Sequence, residues 1–263
     1  FAPPLGDNRL KAGVSGKASG YVNDFSLTDM KIASYAGGFS GVVNGRMTGI
    51  PDIGSTKIDA RIDRFNLTGE GLGLFLSEWM QEGELDLSRY ARGHTFMVDA
   101  KAEGLLDELD IDADITSLIG RASADVIIDG LIDKDKPIGI KGTASTDNLD
   151  LGKILSADII GPVTMRTGLS AVLGDKKSAK IDSLFVDRLA LNNYDYSGIM
   201  AIGALSENMF NGTIVTNDPS LNFILQGGFA LSSKTRNAKY KFFATVSDAD
   251  LYAMNIDRRG KSK

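Results

Sequence analysis

Alternation of apolar and polar residues at a period of two recurs along almost the whole chain, and it restricts the fold more than any other feature. In Leu109-Asp110-Ile111-Asp112-Ala113-Asp114-Ile115 the odd positions are apolar and the even ones acidic. A strand points successive side chains to opposite sides, so this run has one apolar face and one solvated face. Similar runs return about every 10 to 13 residues between glycine-centred turns, the spacing of an all-β fold. Strands are expected at Ala12–Val22, Phe25–Ser34, Gly38–Thr48, Lys57–Asn66, Thr95–Glu103, Leu109–Thr116 and Gly120–Asp129. Further strands are expected at Ile138–Asn148, Val163–Leu173, Ala179–Leu191, Tyr196–Leu205, Met209–Thr216, Asn222–Ser232 and Ala238–Val246.

Three segments break the period. Leu72, Phe75, Leu76, Trp79 and Met80 fall on one face of a short helix that Gly83 would end. Asp150 is placed to cap a helical turn holding Leu151, Ile154 and Leu155, and Asp248 a third holding Leu251, Tyr252 and Met254. Each follows a strand, which suggests a degenerate repeat of several strands plus one apolar helical turn. Val126-Ile127-Ile128 and Phe242-Phe243 are apolar on both faces and are expected to be covered on both. With 30 glycines against 6 prolines, the turns are tight and the strands rarely interrupted. No linker composition appears, so residues 1–263 read as one continuous β-repeat unit, with a soft boundary near 83–93.

Composition and motifs remove most chemistries. A net charge of −5 argues against a nucleic-acid partner, since phosphate binding needs clustered Lys and Arg. With no cysteine there are no disulfides, thiolate metal sites or Cys nucleophiles. The single histidine, His94, sits in Arg92-Gly93-His94-Thr95 and reads as an exposed loop residue. Asp107, Glu108, Asp110, Asp112 and Asp114 resemble a calcium loop in composition only. With Asp110 as the first position, Ile115 stands where glycine is needed and Arg121 where glutamate is needed. No phosphate loop or serine-nucleophile elbow is present. No cofactor is called for, and the chain reads as non-enzymatic.

What remains is the apolar strand face itself. Its expected members are Ile58, Ile62, Phe96, Val98, Leu109, Ile111, Ile115, Val126, Ile128, Val163, Met165, Phe223, Leu225, Tyr240, Phe242 and Val246. Two architectures account for them. One is a closed β-sandwich, in which this face is an ordinary core. The other is one long curled sheet, a β-taco or open solenoid, whose apolar interior forms a groove.

Several strings tilt the choice toward the open sheet. Asn148-Leu149-Asp150-Leu151-Gly152-Lys153-Ile154-Leu155, followed by Gly161-Pro162-Val163, resembles a recurring element of AsmA-like proteins. Phe210-Asn211-Gly212-Thr213, then Asp218-Pro219-Ser220-Leu221-Asn222-Phe223 and Gly227, is similar to the translocation and assembly module family, TamB. So are Asp248-Ala249-Asp250-Leu251-Tyr252-Ala253-Met254-Asn255 and Gly49-Ile50-Pro51-Asp52. The resemblance covers most of the chain, which would then be an internal fragment of a longer periplasmic protein anchored in the inner membrane of a double-membraned bacterium. It implies a groove that conducts lipid acyl chains between membranes, or that supports outer-membrane protein assembly. The implied partners are phospholipid or another acyl-chain ligand, an Omp85-class outer-membrane barrel and nascent outer-membrane proteins. The competing reading is a secreted or surface-exposed binding or adhesion β-sandwich with no transport role.

Overall fold

The computed structural model describes residues 11–72, 93–133, 136–155, 157–173, 178–206, 209–230, 241–257 and 259. Its strands are β1 (Ala12–Tyr21), β2 (Asp24–Ser34), β3 (Phe39–Thr48), β4 (Lys57–Thr68), β5 (Thr95–Leu105), β6 (Glu108–Ser117), β7 (Gly120–Asp129) and β8 (Ile138–Asp150). After them come β9 (Ile160–Leu173), β10 (Ser178–Leu191), β11 (Tyr194–Tyr196), β12 (Ile199–Ser206), β13 (Met209–Asp218), β14 (Leu221–Ala230) and β15 (Lys241–Ala249). All belong to one antiparallel sheet in chain order, with β11 a short branch on β10. Among the described residues β1 and β15 stand at opposite ends of the order and do not pair with each other, so the sheet is not closed into a barrel. β4 pairs directly with β5, so the sheet runs unbroken past residues 83–93.

The expected strands form with small shifts at their ends. One is split: Tyr196–Leu205 breaks at Ser197-Gly198, where the chain leaves β11 and resumes as β12 against β10. Two helical segments follow strands as the pattern requires. Asp150 caps α1 (Leu151–Leu155), its Oδ1 accepting from the Lys153 amide at 3.1 Å. Residues 69–72 turn helical straight after β4; Phe75, Leu76, Trp79 and Met80 of the expected helix lie outside the described residues. The third expectation is corrected. Asp248 is paired with Asn222 in the ladder, and Asp250 is the capping residue, accepting from the Ala253 amide at 2.9 Å over a turn at 251–256. β4, β8 and β15 all end on the same side of the sheet, so the three segments share one long rim, the cap end.

The apolar phase slips by one residue at several places, β10 included, and at three of them a bulge residue at positive φ takes up the difference. Leu27 and Met30, Ile62 and Phe65, and Thr146 and Leu149 keep to one face because the ladder register shifts between them. Asp29, Arg64 and Asn148 absorb the extra residue at φ of 51°, 52° and 49°. Each bulge amide then finds an acceptor on the next strand. Asp29 donates to Asn44 Oδ1 at 2.8 Å, Arg64 to Asp99 Oδ1 at 2.8 Å, and Asn148 to Thr164 Oγ1 at 3.0 Å. A side chain thus replaces the ladder bond that the bulge removes.

Single sheets expose both faces equally unless they curl. Here the alternation of shelter is regular: along β6, Leu109, Ile111, Ala113 and Ile115 are buried or half-buried while Asp110, Asp112 and Asp114 are exposed. Among the described residues no second sheet covers the apolar side. The sheltering therefore comes from a sheet curled toward its apolar face, and the closed-sandwich architecture is not formed.

Loss of a bulge acceptor should be measurable. Asp99→Ala should lower stability by about 1 kcal/mol in urea denaturation. Arg64→Gly should be neutral or mildly stabilising, and Arg64→Val clearly destabilising, because only the glycine is relaxed at that φ.

Candidate functional site

Cross-strand register carries one apolar face through the whole sheet. Every described member of the expected groove lies on that face. Ile58 stands opposite Gly104, which stands opposite Leu109, and Leu109 opposite Ile128. Ala102, Ile111 and Val126 form a second row, and Val98, Ile115 and Ala122 a third that Met165 and Val186 continue beyond Thr146. Phe96 lies beside Leu67 and Val163 beside Leu189. Phe223 pairs with Val246, Leu225 with Ala244 and Gly227 with Phe242. Tyr240 lies outside the described residues.

Between the larger side chains runs a floor of small ones. Ala100, Ala113, Ala124 and Ala144 are directly opposite one another across β5 to β8. Successive rows on either side carry Ile115 and Val98, or Ile111 and Val126, so the alanines form a shallow channel running across the strands. Fifteen strands less the branch β11 lie side by side along this direction. At ~4.8 Å per strand the sheet is about 60 Å across, but the alanine row covers only β5 to β8, about 15 Å, and gives way to Ile62 on β4 and to Thr167 and Leu184 on β9 and β10. A single leaflet of a bilayer holds acyl chains across about 15 Å.

Burial is uneven across the face. Phe96 and Ile119 are 6% and 5% exposed, packed with Leu67, Leu72, Ile115 and Ile154. Residues of both helical segments, Leu72 and Ile154, thus close over the cap end. Phe39 and Phe65 stack there at 5.9 Å between ring centroids. Away from this rim, Ile58, Ile62, Val98, Ile111, Ile115, Val126, Ile128, Met165, Phe223 and Leu225 are only half-buried. On β15, Phe242 and Val246 are exposed. Burial also reaches beyond this rim, since Leu109, Val186, Ala201 and Phe210 on the same face are 7–8% exposed, and the half-buried stretch is the Ala100–Ala144 row with its neighbours Ile111 and Val126.

The outer face is charged and weakly paired. Arg61–Asp63, Lys101–Glu103 and Lys180–Asp182 ion pairs join residues two apart on the same strand, all well exposed. Such pairs add little stability but keep the face hydrated. Asp59 faces Glu103, Asp99 faces Asp114, Asp112 faces Asp125, and Glu108 faces Asp129. Among the described residues no group of His, Cys, Asp and Glu is placed to hold a metal ion. The expected double cover of apolar strands is corrected: Ile127 is 42% and Phe243 78% exposed on this outer side. His94 is half-buried rather than exposed, its carbonyl accepting from the Gly69 amide at 2.9 Å.

One carboxylate sits on the inner face. Asp218, at the cap end of β13, is buried and fully satisfied. Its Oδ1 accepts from Tyr194 Oη at 2.6 Å and the Ser220 amide at 2.8 Å. Its Oδ2 accepts from the Ser197 amide at 2.8 Å and Ser197 Oγ at 3.1 Å. Burial pushes this carboxyl up, but the four donors outweigh it and hold the group below the ordinary carboxylate value. Burial, with the bond to Asp218, pushes the Tyr194 hydroxyl up. The knot ties β11 and the β11–β12 connection to the β13–β14 turn. Sequence alone did not single out Asp218 or the alanine row. The alanines share the phase of the named apolar residues, but their alignment depends on hairpin register.

Two stability measurements test this division of the face. Phe96→Ala should cost about 3 kcal/mol or more, whereas Ile111→Ala should cost roughly half that, since Ile111 already meets solvent. Asp218→Asn should cost about 1–3 kcal/mol at pH 7, because an amide nitrogen would face the donors. Asp218 is depressed in the folded state, so its stabilisation is present above the unfolded value of about 3.9 and is lost below it. The gap between wild type and Asp218→Asn should therefore narrow as the pH falls through that range.

No protein-family model, no curated protein and no solved structure matches this chain.

Proposed function

We propose that this chain is a non-enzymatic conduit segment that holds lipid acyl chains in its apolar trough and lets them move along it. The observation that carries the reading is the half-buried inner face with the Ala100–Ala113–Ala124–Ala144 floor, in one curled sheet with no covering layer. Soluble proteins seldom leave so long an apolar surface open without a ligand or partner for it. Moving a methylene from water into such a trough gains up to about 0.8 kcal/mol. The alanines repeat over the four neighbouring strands β5 to β8, so a chain gains similar contact across that stretch. The exposed, charged outer face keeps the segment in water.

The wider setting follows from the resemblance to the TamB family. In that setting the segment lies in the periplasm of a double-membraned bacterium, within a protein anchored in the inner membrane. It takes phospholipid as cargo, supports outer-membrane protein assembly and works with an Omp85-class barrel.

Mass spectrometry of lipid extracted from the purified chain tests the reading, using protein made in a double-membraned host and kept free of detergent. Phospholipid should accompany the wild type and fall at least tenfold in Ala124→Phe, which fills the channel with an apolar group, and in Val126→Asp. Both variants should retain the wild-type circular dichroism spectrum, because these positions already contact solvent. A lipid-free wild type, or lipid retained by Ala124→Phe, would overturn the proposal.

A further inference from the structure

The outer face holds a recess away from the turns. A cleft of about 380 Å³ opens over the middle of β6 to β10. The sheet bends away from this side, so the depth of the cleft comes from side-chain size. Register gathers small residues there: Ser123 lies opposite Ser145, and Thr143 opposite Gly168, which in turn lies opposite Ser183. Longer side chains ring them, Asp112 and Asp125 on the β6–β7 side and Arg166 and Phe185 on the β9–β10 side. A Cβ on Gly168 would come within 3.2 Å of Ser183 Oγ, so the floor is open at that point because the residue is glycine.

The two walls differ in chemistry. Asp112 and Asp125 face each other across their strands, and both are exposed. Lys101 is opposite Asp112 in the ladder, but its Nζ lies 2.6 Å from Glu103 instead. Among the described residues neither aspartate has an ion-pair partner. On the far wall the Arg166 guanidinium stands 5.3 Å from the centroid of the Phe185 ring and 3.8 Å from the Asp187 carboxylate. The ring draws it toward β10 and off the serine pair. Asp125 and Arg166 are two strands and two residues apart, roughly 12 Å between Cα atoms, so the walls keep their opposite characters. Between them the Ser123 and Ser145 hydroxyls share a hydrogen bond of 2.8 Å, and those of Thr143 and Ser183 carry none among the described residues.

A carboxylate only accepts hydrogen bonds, a guanidinium only donates them, and a hydroxyl does both. A molecule lying across this cleft must therefore donate at one wall, accept at the other and do either in between. An anion is repelled by the aspartates, and an amine has nothing with which to accept from Arg166. Hydroxyl groups meet all three demands, and the carbon-bound hydrogens of a saturated ring can pack against Phe185, which is 38% exposed. The volume lies within the range of small-ligand clefts. We propose that the outer face of β6–β10 carries a binding site for a neutral saccharide, separate from the apolar trough behind it. The site stands on the outer face alone and does not require lipid in the trough.

Saturation-transfer NMR on the unsubstituted chain tests this against free neutral sugars: glucose, galactose, mannose, N-acetylglucosamine and their disaccharides. At least one should bind, with a millimolar Kd suited to an open site. Gly168→Leu, which fills the floor, and Arg166→Ala and Asp125→Ala, which strip one wall each, should weaken that sugar at least tenfold. Lys57→Ala, on the same face at β4, should leave it unchanged. The circular dichroism spectrum should stay that of the wild type in all four, since these side chains already meet solvent. No binding by any sugar of the set would overturn the proposal. So would binding that survives both Gly168→Leu and Arg166→Ala, or a preference for spermidine, an oligolysine peptide or glucuronate over every neutral sugar. Lipid recovered with Gly168→Leu should equal the wild-type amount, which keeps this test apart from that of the trough.

Discussion

Backbone hydrogen bonding in register is the constraint on which this molecule rests. Side chains alternate faces with a period of two, so a slip of one residue in any hairpin would carry a whole strand of apolar groups to the wet side. With so many strands in one sheet, a single slip would also misplace every strand beyond it. The bulges at Asp29, Arg64 and Asn148 show how the register is managed. In each case the sequence puts three residues where two would keep phase, and the left-handed residue takes up the difference. The neighbouring strand contributes an acceptor for the amide left over. Apolar continuity is thereby kept without perfect alternation in the sequence.

That continuity separates two jobs that most β-proteins give to the same residues. Phe96, Ile119 and their neighbours are buried and hold the fold along the cap rim. Ile111, Val126 and the alanine floor contribute less to the core and are left accessible. Asp218 belongs to the first group although it is charged. Four donors make its burial tolerable, and in return it locks two turns of the rim together. A trough can stay open only if its edges are held by something other than contacts across its middle, and the helical segments and this knot provide that.

Much of this was legible in the sequence. Strand positions follow from alternation, which survives because each strand has one face in water. The inner-face residues follow from the same phase. Asp150 was recognisable as a cap because a strand stops there. Asp248 was misleading because its strand does not stop: pairing with Asn222 holds it extended. The split at Ser197-Gly198 was hidden because both halves pair with β10 and the run Ile199-Met200-Ala201-Ile202 is apolar on both faces, which masks the one-residue slip of the inner phase between Tyr196 and Ile199. Ile127 and Phe243 read as residues between two layers, and only the topology shows that the described residues form a single layer. Whether the apolar face closes into a core or stays open depends on long-range packing, and periodicity is silent on that.

The opposed carboxylates of the outer face bear on the shape of the whole sheet. Asp99 with Asp114 and Asp112 with Asp125 repel across neighbouring strands on one surface, while the other surface seeks to reduce its contact with water. A ribbon with mutual repulsion on one side and cohesion on the other bends like a bimetallic strip, toward the cohesive side.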